Sequence, residues 1–257
     1  MNYLDGFLWL LLLTGPLFLF QTVLHKNVQA VFLLITRRAD ISFTLFSILF
    51  FPGILLHESS HYLVARLLGV RTGKFSLFPR VIQGSQAEGA ARLQLGYVET
   101  ASTDLIRDGL IGAAPLLFGG VFITYAGLSR LGMHHLWESL MLGSPEAFRN
   151  NILNLLGQPD FWLWLYLIFV VSSTMLPSAS DRRAWLPLIL VLGLVLGLVL
   201  IAGAGPWLMA HLAPPLNQAL LALDIVLGIS LAVHVVFLIP ILLLKGILSR
   251  FMGMKVE

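Results

Sequence analysis

Two histidines four residues apart, with a glutamate directly after the first, stand in the otherwise apolar stretch "GILLHESSHYLVARLLG", residues 53–69. On a helix His57 and His61 leave the same face one turn apart, so their imidazole nitrogens can converge on one ion. Neutral imidazole suits zinc. Glu58 sits about 100° further round the helix, awkward as a third ligand but able to reach a water on the metal. That makes it a candidate general base. Zinc lowers the pKa of its bound water to about 7, and a carboxylate beside it can take the proton and hand it to a leaving amine. The arrangement serves peptide hydrolysis. In a chain of this composition, one His-Glu-x-x-His arises by chance with a probability on the order of 0.004. A plainer account makes these groups polar glue between helices, but three ionisable side chains in a membrane span cost kilocalories each. Ser59 and Ser60 read as small polar fillers that let helices approach.

A catalytic zinc needs a third protein ligand and keeps a fourth position for water. The candidates in or near apolar segments are Asp181, Asp224 and His234, with Glu138, His134, His135 and His211 more remote. Counting from residue 43 at a rise of about 1.5 Å per residue puts His57 about 21 Å along its helix, within about two turns of the level expected for Asp181. Asp181 also follows Pro177 in "SSTMLPSASDRRAW", where proline and small residues can break a helix and fold the chain back toward a metal. Asp224 is expected near the opposite membrane surface, and His234 suits a helix-to-helix hydrogen bond.

The elements that must position these residues are membrane helices. Of the 257 residues 58% are hydrophobic and only 11% charged, with mean hydropathy +0.88. No stretch is left for a separate soluble unit, so the chain reads as one integral membrane domain, 1–257, with a catalytic core at about 41–184 and accessory spans in 1–40 and 185–257. There is no cysteine, which removes disulfides, thiolate ligands and a cysteine nucleophile. A net charge of +3 with scattered basic residues argues against nucleic acid as a partner. The fold expected is an all-α polytopic membrane protein of about six transmembrane helices, near 3–24, 43–68, 109–129, 161–178, 185–204 and 219–244. Residues 28–36, "VQAVFLLIT", are too short to cross alone and fit an interfacial helix or a shifted first span. Six alternating spans put both termini on one side. That side carries eleven lysines and arginines against five, so the termini are expected in the cytoplasm.

Between the second and third spans, "KFSLFPRVI" and "RLQLGYVET" flank a Gly/Ala-rich connector. Leu93, Leu95 and Tyr97 alternate with Gln94, Gly96 and Val98, which predicts a short β-hairpin at the membrane surface.

The residues resemble the site-2 protease family of intramembrane zinc metalloproteases. "HESSHYLVARLLGV" is similar to its HExxH helix, "LQLGYVET" to its Gly-Tyr-Val edge-strand region and "TMLPSASD" to its Asn-x-x-Pro to Leu-Asp-Gly segment, together covering about residues 45–184. The resemblance implies zinc ligands at His57, His61 and Asp181, one Zn2+ per chain, and Glu58 as the catalytic glutamate. Thr174 stands where the family commonly has asparagine, and Asp181 lies between Ser180 and Arg182 rather than in Leu-Asp-Gly. An edge strand at Leu95, Gly96, Tyr97 and Val98 is expected to hold the extended substrate by main-chain pairing. The loop from about 130 to 160 is too short for the PDZ domain some members insert there. The expected activity is cleavage of membrane-protein substrates in or beside their transmembrane segments, in a prokaryotic cell membrane. A non-proteolytic scaffold or transporter subunit with a zinc site is the alternative.

Overall fold

The computed structural model describes residues 5–77, 80–82, 92–94 and 96–253, with the backbone alone for 80–82 and 92–94. The elements in chain order are α1 (Asp5–Thr36), α2 (Ala39–Leu67), β1 (Thr72–Ser76), β2 (Arg80–Ile82), β3 (Arg92–Gln94), β4 (Tyr97–Thr100), α3 (Leu105–Thr124), α4 (Met133–Met141), α5 (Pro145–Leu156), α6 (Phe161–Thr174), α7 (Trp185–Ile201), α8 (Gly205–His211) and α9 (Ala213–Met252). A π-helical turn, Tyr125–Arg130, prolongs α3. Four helices, namely α1, α2, α3 with its π turn, and α9, are each long and apolar enough to cross a membrane. The bent pairs α5–α6 (95°) and α7–α8 (118°) raise the count to six if each is one span. Leu8, Ile48, Val121, Leu190 and Ile239 are all exposed, an apolar surface that suits lipid rather than water. The protein is an all-α polytopic membrane protein with a small antiparallel sheet.

Local chemistry sets the boundaries. α1 does not stop near residue 24 but absorbs "VQAVFLLIT": the Asn27 amide bonds back to Val23 O within the helix (2.6 Å), and Val28, Ala30, Val31 and Leu34 are buried. α2 ends where Gly69 takes a left-handed φ of 71°, the conformation glycine adopts most readily. The Asp104 side chain caps α3 by accepting from Ile106 N and Arg107 N. α6 stops at Thr174 rather than running to 178, three residues short of Pro177, because proline and its predecessor both resist helix.

Contacts fix the helix directions. α2 returns beside α1, with Ser42 Oγ donating to Gln29 O and Phe46 and Phe50 both edge-on to His25. α6 runs parallel to α2: Tyr166 O–H donates to Leu49 O, and further along His57 meets Thr174. At the start of α9 the Asn217 side chain accepts from Gly6 N (2.9 Å), and further along His234 reaches Ser173, whose carbonyl accepts from Gln21 of α1. Helices α1 and α9 are therefore parallel.

Six alternating crossings would set the first and last helices antiparallel, whereas α1 and α9 run parallel. α7 starts beside Gly109 of α3 and α9 starts beside Gly6, both at the end of the bundle where α1 begins. The bent pair α7–α8 thus leaves and returns at one end, and Asp5 and Met252 lie at opposite ends.

The expected hairpin is present. β1 pairs with β4 (Phe75 opposite Val98, Ser76 opposite Tyr97), and β2 with β3. Phe75 packs edge-on against Tyr62 of α2, which seats the sheet beside the HESSH turn.

Candidate metal centre

α2 carries the two histidines past two other helices, and each neighbour supplies a backbone carbonyl. His57 Nδ1 lies 2.6 Å from Thr174 O at the end of α6, and His61 Nδ1 lies 2.7 Å from Ile111 O in α3. A carbonyl can only accept, so each Nδ1 must carry the hydrogen. The lone pairs are thereby left on the two Nε2 atoms, which face one another at 3.2 Å. Backbone partners on the far ring nitrogen are what orient metal-binding imidazoles. Close helix packing makes this reach possible: a Cβ on Gly53 would collide with Val170 O and Thr174 Oγ1 of α6.

The segment after α6 folds back as the Pro177 reading anticipates. Asp181 Oδ1 comes to 3.3 Å from His61 Nε2 and Oδ2 to 3.6 Å from His57 Nε2. The carboxylate is held in turn by Ser178 N, which donates to Oδ2 at 2.7 Å. Gly112 of α3 makes room, since a Cβ there would collide with the Asp181 carbonyl oxygen. One ligand atom from each of His57, His61 and Asp181 lies within 4.8 Å of the others. Two neutral nitrogens and a carboxylate, each braced from behind, fit a metal ion.

Glu58 points elsewhere from the same turn. It is buried and packs under the start of β4, where a Cβ on Gly96 would lie 2.8 Å from Glu58 Cγ and 3.0 Å from Oε1. Only glycine lets the strand pass this close. A cavity of about 660 Å³ joins these parts, lined among others by His57, Glu58, His61, Gly96, Tyr97, Val98 and Asp181, within the size range of small-molecule and peptide clefts. Three of the four expected strand contacts, Gly96, Tyr97 and Val98, line it; Leu95 lies outside the described residues.

The other candidate ligands stay apart. The Asp224 carboxylate is buried in α9 with neither oxygen hydrogen-bonded, and His234 bonds Ser230 O and Ser173 Oγ. The His134 and His135 rings lie 3.9 Å apart, tilted by 42°, with His135 Nδ1 3.6 Å from Glu138. His211 bonds Trp207 O within its own helix.

Comparison with protein-family models, curated proteins and solved structures finds no match. Sequence reasoning did not reach the Thr174 and Ile111 carbonyls, because any residue supplies one, nor His25, a further cavity wall residue that falls just past the first span expected at 3–24. Gly112 carried a usable hint: "GLIGAAP" puts small residues on α3, the helix that the Asp181 segment must approach.

Proposed function

We propose that this chain is an intramembrane zinc metalloprotease that hydrolyses peptide bonds in or beside the transmembrane segments of membrane-protein substrates. One observation carries the reading: His57, His61 and Asp181 gather their donor atoms within 4.8 Å on a cavity wall that also holds Glu58 and the start of β4. His57, His61 and Asp181 would hold the ion, which when bound acts as a Lewis acid toward the scissile carbonyl and makes water acidic enough to attack. Glu58 is the proton carrier. Its carboxylate takes the proton of the attacking water and returns it to the leaving nitrogen, so the base needs no other partner. β4 pairs with β1 on one side only among the described residues. Val98 in β4 and Gly96 just before it offer main-chain groups to an unwound substrate segment. A peptide bond must leave its helix before it can be attacked, and strand pairing compensates the freed N–H and C=O groups.

Glu58→Gln tests the reading, because it keeps the shape and removes the base. Zinc stoichiometry should match wild type while cleavage of a membrane-tethered reporter falls by about 10²- to 10⁴-fold. Equal processing by variant and wild type across tested substrates would leave a non-proteolytic zinc-binding scaffold as the better account.

A further inference from the structure

One turn of α3 touches the segment that delivers the third ligand at Asp181, Arg183 and Trp185. The Asp108 carboxylate accepts two bonds from the Arg183 guanidinium, from Nε at 2.9 Å and Nη2 at 2.7 Å. Gly109 O accepts from Trp185 Nε1 at 3.4 Å, and Gly112 faces the Asp181 carbonyl. Ile111 O, on the same turn, anchors His61. Arg183 stands two residues after Asp181 and lines the same cavity. The Asp108 and Asp181 carboxylates line it as well. A guanidinium fork pairs readily with any carboxylate it can reach, which makes Arg183 a competitor for the very group the metal needs.

We propose that Asp108 is a positioning residue that holds the Arg183 guanidinium away from Asp181, so that the Asp181 carboxylate remains available as third metal ligand. The proposal rests on the metal reading above. It differs from a simple clamp, in which the Asp108–Arg183 pair merely ties the segment to α3. Breaking a clamp from either side does the same damage. Removing Asp108 alone, by contrast, frees a cation to capture Asp181, whereas removing Arg183 frees none.

The test is zinc affinity of the purified full-length chain in detergent, measured by competition with a chelating indicator, for wild type, Asp108→Asn, Arg183→Gln, the double variant and Asp181→Ala. Asp108→Asn should bind zinc about tenfold to 100-fold more weakly, the range seen when groups behind a ligand are lost. Arg183→Gln and the double variant should both stay within about threefold of wild type. Because the double variant lacks the same ion pair, a general loss of folding cannot produce that recovery. Equal weakening in Asp108→Asn and the double variant overturns the inference, as does wild-type affinity in Asp108→Asn. A wild type that binds no more tightly than Asp181→Ala overturns the metal reading, and this inference with it.

Discussion

The bundle holds two pairs of histidines, His61 and His234 buried and His57 and His25 half-buried, and they behave differently. His57 and His61 sit on one helix, each bonded at Nδ1 to a carbonyl of a different neighbouring helix, with their Nε2 atoms converging on Asp181. His25 and His234 sit on two parallel helices, α1 and α9. His234 spends both ring nitrogens on Ser230 O and Ser173 Oγ, and His25 is wedged against Phe46 and Phe50 with Nε2 unbonded. Among the described residues no carboxylate gathers with this second pair. Burial and imidazole chemistry are common to both, so neither makes a metal centre. What separates them is the outer brace on each ring and a loop that brings an acid.

The sharpest way to break this contrast is to remove the acid. Asp181→Ala takes away a direct ligand, so zinc affinity should fall by more than the roughly 100-fold upper range for lost supporting groups. Asp224→Ala and His234→Ala should leave it unchanged, because neither side chain gathers with His57 and His61. A titration in which Asp224→Ala abolished binding and Asp181→Ala did not would reassign the third ligand.

A smaller effect is expected from the brace that admits the loop. In Gly112→Ala the new methyl collides with the Asp181 carbonyl, and such overpacking costs about 1–3 kcal/mol. Zinc affinity should fall about tenfold to 100-fold as the ligand is pushed out of line. Gly193→Ala in α7 is the control, since nothing lies within 4 Å of the added atom. If both substitutions leave affinity alone, the close approach at Gly112 does not position Asp181.

The same contrast explains what was legible in the sequence. The spacing of His57, Glu58 and His61 encodes a helical face directly, and Pro177 with its small neighbours announces a break, so both ligand-bearing segments could be placed. Register between helices is not encoded this way: the Thr174 and Ile111 carbonyls that fix the rings have no sequence signature. Residues 185–204 are as apolar as any span, and hydropathy does not foretell the 118° bend between α7 and α8. Lys26 and Asn27 misled in the opposite sense, because polar residues look like the end of a span, yet Asn27 satisfies its own amide within the helix.

The finest test asks whether the two histidine pairs are independent at all. Ser173 bonds His234 through its hydroxyl at 3.1 Å, and the next residue, Thr174, offers the carbonyl that orients His57. Ser173→Ala removes one hydrogen bond inside the bundle, worth about 0.6 kcal/mol on average for such pairs in membrane proteins. A slightly lower unfolding midpoint is expected, with zinc affinity intact, since the Thr174 carbonyl is also fixed by α6 packing on Gly53. If zinc binding weakens in step with stability, the second pair is part of the first one's support, and the brace on His57 extends through Ser173 to α9.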